Sequence, residues 1–416
     1  MLDIYFCAPK TLRRLRVGLS GPYIDSFADS LERGRYSHAT AVRYLRAAAH
    51  FGCFVQHKGY AFADVDTCSL ADFGHHFPHC QCRQSNGGGI TGYHARFGVA
   101  LFHQHLLKLG ICRSLEVVNV RGKEAALVIE FCDWLKVHRG TSEPTRRQYS
   151  RGAREVLEAL GDDVGKWTVR AVRDYVLDRA DKCGAPTTQK LITSLRAFLR
   201  YLNFIGASRD DLALAVPAIA SWRLARLPRC LSAEELARLI AACDGTSPGR
   251  LRDRAIVLLL ARLGLRAGDV AQLCLSDIDW NNGTLLVAGK GRYQVRLPLP
   301  QDVGNALLCY LDCRPKIDHS DRVFLRSNAP VTPFTSGDGV SSVVKHALRR
   351  AGVETPCKGA HLLRHTAATE MLRHGVPLDQ IGLVLRHRSI DMTAYYAKVD
   401  IALLRSIAQP WPGVNS

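Results

Sequence analysis

Between positions 361 and 396 the chain reads HLLRHTAATEMLRHGVPLDQIGLVLRHRSIDMTAYY. Four side chains there suit a phosphodiester: the imidazoles of His361 and His387, the guanidinium of Arg364 and a phenol. His361 and Arg364 stand three apart where Leu362, Leu363, Ala367, Met371 and Leu372 recur at helical spacing, so both project from one face. Gly375, Val376 and Pro377 end that helix, a second one, LDQIGLVL, follows, and His387 stands nine residues before Tyr396. No metal-ligand spacing or Ser/His/Asp arrangement fits the set better than a phosphate site with a phenol nucleophile. Tyr395 and Tyr396 are adjacent, and composition does not choose between them.

These residues, as His361-x-x-Arg364, Leu385-Arg386-His387 and Thr393-x-x-Tyr396, resemble the active-site signature of the tyrosine recombinase (phage integrase) family. Two upstream stretches extend the resemblance. LGLRAGDVAQL (263–273) is similar to the family's first-arginine box and places Arg266, with Asp269 three residues on. VAGKGRYQVRLPL (287–299) is similar to its lysine-bearing β-hairpin and places Lys290. The match runs in family order over roughly residues 230–400. One departure is Arg386, where the family usually has Gly; beside His387 it would alter that loop or add a phosphate contact.

The resemblance implies site-specific DNA cleavage and rejoining through a 3′-phosphotyrosyl intermediate, without a cofactor. Its spacing selects Tyr396 as nucleophile. Adjacent helical residues point about 100° apart, so only one of the two tyrosines can aim at a held phosphate. A phenol titrates near pH 10 and must lose its proton as it attacks. Arg266 and Arg364 would clamp the nonbridging oxygens, a geometry that lysine does not match. Lys290 would protonate the leaving 5′ oxygen, His361 and His387 would bond the phosphate or move protons, and Asp269 would orient Arg266. Two other readings are a DNA-binding accessory protein with a decayed site, which needs a missing catalytic group, and a type IB topoisomerase, which shares the chemistry without pairing two sites.

The remainder of the chain must position these groups and hold DNA. Its 416 residues, 47% hydrophobic, suffice for two or three domains with cores. A net charge of +18 points to a polyanion, here double-stranded DNA. The N-terminal residues lack the apolar core of a signal peptide and no apolar run approaches a membrane span, so a cytoplasmic protein with no membrane contact is expected. The fourteen cysteines are then reduced thiols.

The expected fold is mainly α: helical N-terminal DNA-binding bundles, then a mainly α catalytic domain with a small antiparallel β-sheet. The expected divisions are an extra helical domain over 1–115, a core-binding domain over 116–215 and a catalytic domain over 216–416. Phe27, Leu31, Thr40 and Tyr44 are echoed by Phe131, Leu135, Thr145 and Tyr149, and Phe102, Leu106 and Gly110 by Phe198, Leu202 and Gly206. That cadence suggests a divergent repeat over about 20–112 and 120–208. The second copy resembles the family's core-binding domain and carries Arg147, Arg151 and Arg154 as a basic helical stripe for phosphates. Residues 68–92 hold His75, His76, His79, Cys80 and Cys82, but their spacing fits no common zinc finger, so a Cys/His-rich loop without metal is expected. Gly87, Gly88 and Gly89 lack the Lys-Ser/Thr of a phosphate cradle and read as loop.

Residues 209–229 read as a linker. Ser232 with Glu235 marks a capping box, and Asn282-Gly283 a turn into a strand. Beyond Tyr396, Val399, Ile401, Leu404 and Ile407 form an apolar stripe that by the resemblance would dock on a neighbouring subunit, within a homotetramer on two DNA sites. Neutralising phosphates releases counterions, so log affinity for DNA should fall linearly with log salt. Binding isotherms across a salt series test this, and a flat response would exclude the basic stripe.

Overall fold

The computed structural model describes residues 2–65, 67–76, 80, 92–112, 122–208, 211–218, 229–288, 294–317, 320–387 and 391–397. The chain forms two compact units, one from Met1–Arg113 together with Leu224–Ser416, the other from Ser114–Arg223. Among the described residues no helix is long and apolar enough to cross a membrane.

In the first unit, α1 (Pro9–Leu15), α2 (Gly21–Arg33), α3 (His38–His57), α4 (Thr67–His76) and α5 (Gly92–Lys108) bury one aromatic-rich core. Phe27 and Leu31 of α2, Tyr44 and Phe51 of α3, Phe73 of α4 and Phe102 of α5 meet in it. Gly34 breaks α2 from α3 as its position suggests, and Ser37 caps α3 by accepting from the Thr40 amide. Helix α4 corrects the expectation of a loop over 68–92. Leu70 and Phe73 stand three apart and pack on the core, so the first part of that stretch is helical. His79, Cys82 and the three glycines lie outside the described residues.

The second unit has α6 (Gly122–Arg139), α7 (Glu143–Leu160), α8 (Val169–Lys182) and α9 (Ala185–Phe204) around Phe131, Leu135, Leu157, Val176 and Phe198. Its internal geometry matches that of 2–112 in detail. Phe27 and Phe102 meet edge-on at 5.1 Å and 62°, Phe131 and Phe198 at 5.1 Å and 64°. The Ser37 and Thr40 hydroxyls lie 2.8 Å apart, those of Ser142 and Thr145 2.9 Å. Arg35 (φ 55°) stands where Gly140 (φ 54°) stands, and Gly110 (φ 72°) where Gly206 (φ 71°) does.

Residues 229–397 complete the first unit. A capping box joins Ser232 and Glu235 at the start of α10 (Ala233–Ala241), with both reciprocal bonds formed. The central helix is α11 (Pro248–Leu263), apolar on most sides because neighbours surround it: α13 (Gln301–Cys313), α14 (Gly337–Arg350) and α15 (Ala360–Arg373). Between α11 and α13 come α12 (Ala267–Gln272) and an antiparallel sheet of β1 (Ile278–Asp279), β2 (Thr284–Ala288) and β3 (Gln294–Pro298), in that order. Asn282-Gly283 makes the turn into β2, Gly283 adopting φ 57°. The pairing runs from Thr284 with Pro298 to Ala288 with Gln294, so the mainly α fold with a small antiparallel sheet is as expected. Helices α16 (Leu378–Leu385) and α17 (Asp391–Ala397) close the described chain.

The N-terminal helices touch this part of their unit directly: Val331 N donates to Gly34 O (3.2 Å), and the Arg35 guanidinium to Lys316 O (3.3 Å). Gly264 matters most to the site. It caps α11 at φ 59°, and a Cβ there would lie 2.5 Å from Leu385 Cδ2. Gly264→Ala meets a left-handed backbone and a clash together, so we expect a loss of about 1–3 kcal/mol in denaturant unfolding. Unchanged stability would mean that Leu385 yields freely.

Candidate active site

Two arginines converge on one short loop. Arg364, on α15, is 4% exposed; its guanidinium donates to Gly264 O (2.6 Å) and to Leu385 O. Arg266, at the N-cap of α12, donates through Nη2 to Arg386 O at 2.7 Å. The fold therefore brings the turn after α11, the face of α15 and loop 385–387 together through consecutive carbonyls. A guanidinium has five donors, so these bonds do not exhaust it. Burial, and then the charge of Arg266, pull the Arg364 pKa down to about 10, which leaves it cationic at neutral pH.

Arg386 explains how the family's usual glycine is replaced. It takes the left-handed conformation (φ 55°) that glycine adopts without penalty, and its guanidinium ion-pairs with Asp269 Oδ2 rather than pointing out to solvent. Asp269 Oδ2 also accepts the Arg266 amide at 3.1 Å. Its hold on Arg266 runs through the backbone amide and through Arg386, whose carbonyl the Arg266 guanidinium bonds.

Tyr396, on α17, is 2% exposed, and its Oη lies 2.8 Å from His365 Nδ1. Burial raises the phenol to about 12, with Arg364 opposing, while burial followed by His361 and Arg364 lowers His365 to about 4. At neutral pH the phenol is protonated and the imidazole neutral, so Oη donates to Nδ1. His387 lies parallel to Tyr396, centroids 6.2 Å apart, and its Nδ1 is 2.8 Å from Thr393 Oγ1, the threonine of Thr-x-x-Tyr. It too is lowered to about 4, by burial, then Arg364, Arg266 and His365. His361 faces solvent yet titrates below its usual range, from the protein crowded around it and then from Arg364 and Arg266. Its ring is 5.9 Å from that of His365.

Of the residues singled out from sequence, Arg266, Asp269, His361, Arg364, His387 and Tyr396 come together here. Lys290 lies outside the described residues, between β2 and β3, as does the apolar stripe after Lys398. Arg147, Arg151 and Arg154 sit on the exposed side of α7 in the other unit, Arg147 in a surface pair with Glu143 at 3.0 Å. His365 was missed. The available signal was its place directly after Arg364, but only the fold puts it on the phenol.

Residues 229–402 match the Phage integrase family, and 128–203 its N-terminal SAM-like domain. A protein of Sinorhizobium fredii named "Putative integrase/recombinase y4rA" is 35% identical over 408 residues, 94% of each chain. The chain belongs to the tyrosine recombinase family. Tyrosine recombinase XerC of Alcanivorax borkumensis is 30% identical over 68% of this recombinase and 92% of its own length. Among solved structures, XerH recombinase bound to a palindromic difH substrate superposes with a TM-score of 0.55 at 17% identity (69% of this chain, 84% of that one), a likeness of fold. A lambda integrase dimer on a COC′ core site gives 0.52 at 18% (70% and 98%). The recombinase binds DNA and breaks and rejoins it at specific sites, so the reading as a non-catalytic accessory protein falls away.

The half-buried His365 and His387 set a pH dependence. His365 and His387 titrate near 4 when folded and near 6.5 when unfolded, so unfolding takes up protons below about pH 6.5. Their neutral burial contributes stability above that pH, lost progressively as the pH falls towards 4. Urea midpoints should drop between pH 7 and pH 5, less steeply in His365→Asn; parallel, flat curves would contradict the half-buried neutral pair.

Proposed function

We propose that Tyr396 Oη attacks the scissile phosphorus, forming a 3′-phosphotyrosyl bond and breaking the bond to the 5′ oxygen. The observation that carries this reading is the phenol donating to a neutral imidazole at 2.8 Å, beside a loop held by two arginines. The phenolic proton passes to His365 as the P–O bond forms. Arg266 and Arg364 turn their remaining donors to the nonbridging oxygens as charge builds there, and His361 and His387 add hydrogen bonds. Lys290 gives its proton to the leaving 5′ oxygen. A 5′-hydroxyl of the partner strand then attacks the phosphotyrosine, regenerating the phenol. Asp269 and Arg386 act as positioning residues for Arg266.

In this reading residues 116–215 are the core-binding domain, with Arg147, Arg151 and Arg154 on phosphates, and 216–416 the catalytic domain. Residues 1–115 are a divergent copy of the core-binding module, supported by the paired Phe27–Phe102 and Phe131–Phe198 contacts. The enzyme acts in the cytoplasm, needs no cofactor, and works as a homotetramer pairing two sites of a mobile element.

The nucleophile is tested on a nicked suicide substrate that traps the covalent adduct. Tyr396→Phe should keep fold and DNA affinity and form no adduct, because only the attacking oxygen is lost. Tyr395→Phe should still form it. Exchanged outcomes would place the wrong tyrosine on the phosphate, and a two-site assay giving relaxation without exchange would favour the topoisomerase reading.

A further inference from the structure

A second polar cluster lies far along the chain from the catalytic residues, inside the N-terminal helices. His50 of α3 is 2% exposed, and its Nε2 lies 3.1 Å from Cys80 Sγ. The His76 ring, at the end of α4, is 5.6 Å from that of His50. One donor atom from each of His50, His76 and Cys80 lies within 4.8 Å of the others. Around them is an aromatic wall: Phe73 meets His50 edge-on at 5.3 Å and Phe54 lies 4.9 Å from His76.

Two imidazoles and a thiol are a zinc donor set. With Zn–N of about 2.0–2.1 Å and Zn–S of about 2.3 Å, tetrahedral coordination puts donors about 3.3–3.6 Å apart, so small side-chain rotations bring these three onto one ion. The aligned position in the other unit holds a tie between helices. Along α7, in the alignment that pairs Thr40 with Thr145, the residue matching His50 is Glu155, and it ties α7 to α8 through Arg179 at 2.7 Å. The sequence expectation of a metal-free loop counted only ligands between 75 and 82, whereas His50 stands 30 residues before Cys80.

We propose that His50, His76 and Cys80 bind one zinc ion that ties α3 to α4 and to the chain beyond it. The fourth position takes water or a further donor. The test uses the full-length protein, stripped with a chelator and titrated with cobalt(II) as a spectroscopic stand-in for zinc. One cobalt per chain should bind with a thiolate-to-cobalt charge-transfer band, absent in Cys80→Ser, weakened in His76→Gln and kept in Cys53→Ala. Zinc should also protect 1–113 from proteolysis in the wild type and not in Cys80→Ser, whose fold is checked by circular dichroism. His50→Gln opens the core and is secondary, so Cys80→Ser decides. A band that persists in Cys80→Ser, or no cobalt uptake with proteolysis indifferent to zinc, would overturn the site.

Discussion

The catalytic half of the molecule depends on one buried cation. Among the described residues no carboxylate pairs directly with Arg364: its guanidinium donates to the carbonyls of Gly264 and Leu385, and its charged neighbours are Arg266 and Arg386, with Asp269 an opposing charge. Taking a guanidinium out of water without a counterion is costly, and the depressed pKa records that cost. The close approach of Gly264 to Leu385, the left-handed Arg386 and the Asp269 ion pair all serve to hold carbonyls against this group. In the proposed reaction the arriving phosphate supplies the anion that this site lacks, so substrate binding and site assembly draw on the same imbalance.

The two helical modules share an internal geometry and differ at the surface. Where α7 carries Arg147, Arg151 and Arg154, the matching positions of α3 are Val42, Arg46 and Ala49. Arg46 lies over the Phe6 ring at 5.7 Å, inside its own module. The N-terminal module instead lends Gly34 and Arg35 to contacts with Val331 and Lys316. The module with the exposed basic helix is the one proposed to meet DNA, while the N-terminal module bonds to Lys316 and Val331 of its own unit.

Much of this was legible in the sequence because it is local. Ser232 and Glu235 announce their own helix start, Asn282-Gly283 its own turn, and the candidate catalytic residues fall within short motifs. What was not legible depends on distant partners. His365 looks like any helical histidine until α17 sets Tyr396 against it, and His50 reads as one more residue of an apolar helix until α4 folds back. The helix α4 itself was missed because polar, cysteine- and histidine-rich text hides two apolar contacts, Leu70 and Phe73. Arg386 shows the limit of residue-type rules: a non-glycine can hold a left-handed turn when a part-buried carboxylate rewards its side chain.

Tyr396 is almost wholly shielded from solvent. Shielding slows its ionisation, since burial raises the phenol, but it has a second effect on whatever is bonded to that oxygen. An ester of Tyr396 formed in this setting would have few water molecules to attack it, and a sugar hydroxyl delivered by a bound strand would be the nucleophile at hand. With Tyr396 as the proposed nucleophile, the dryness of one side chain would separate a resealing enzyme from a nuclease: a broken strand would wait for an end to join instead of being lost to hydrolysis.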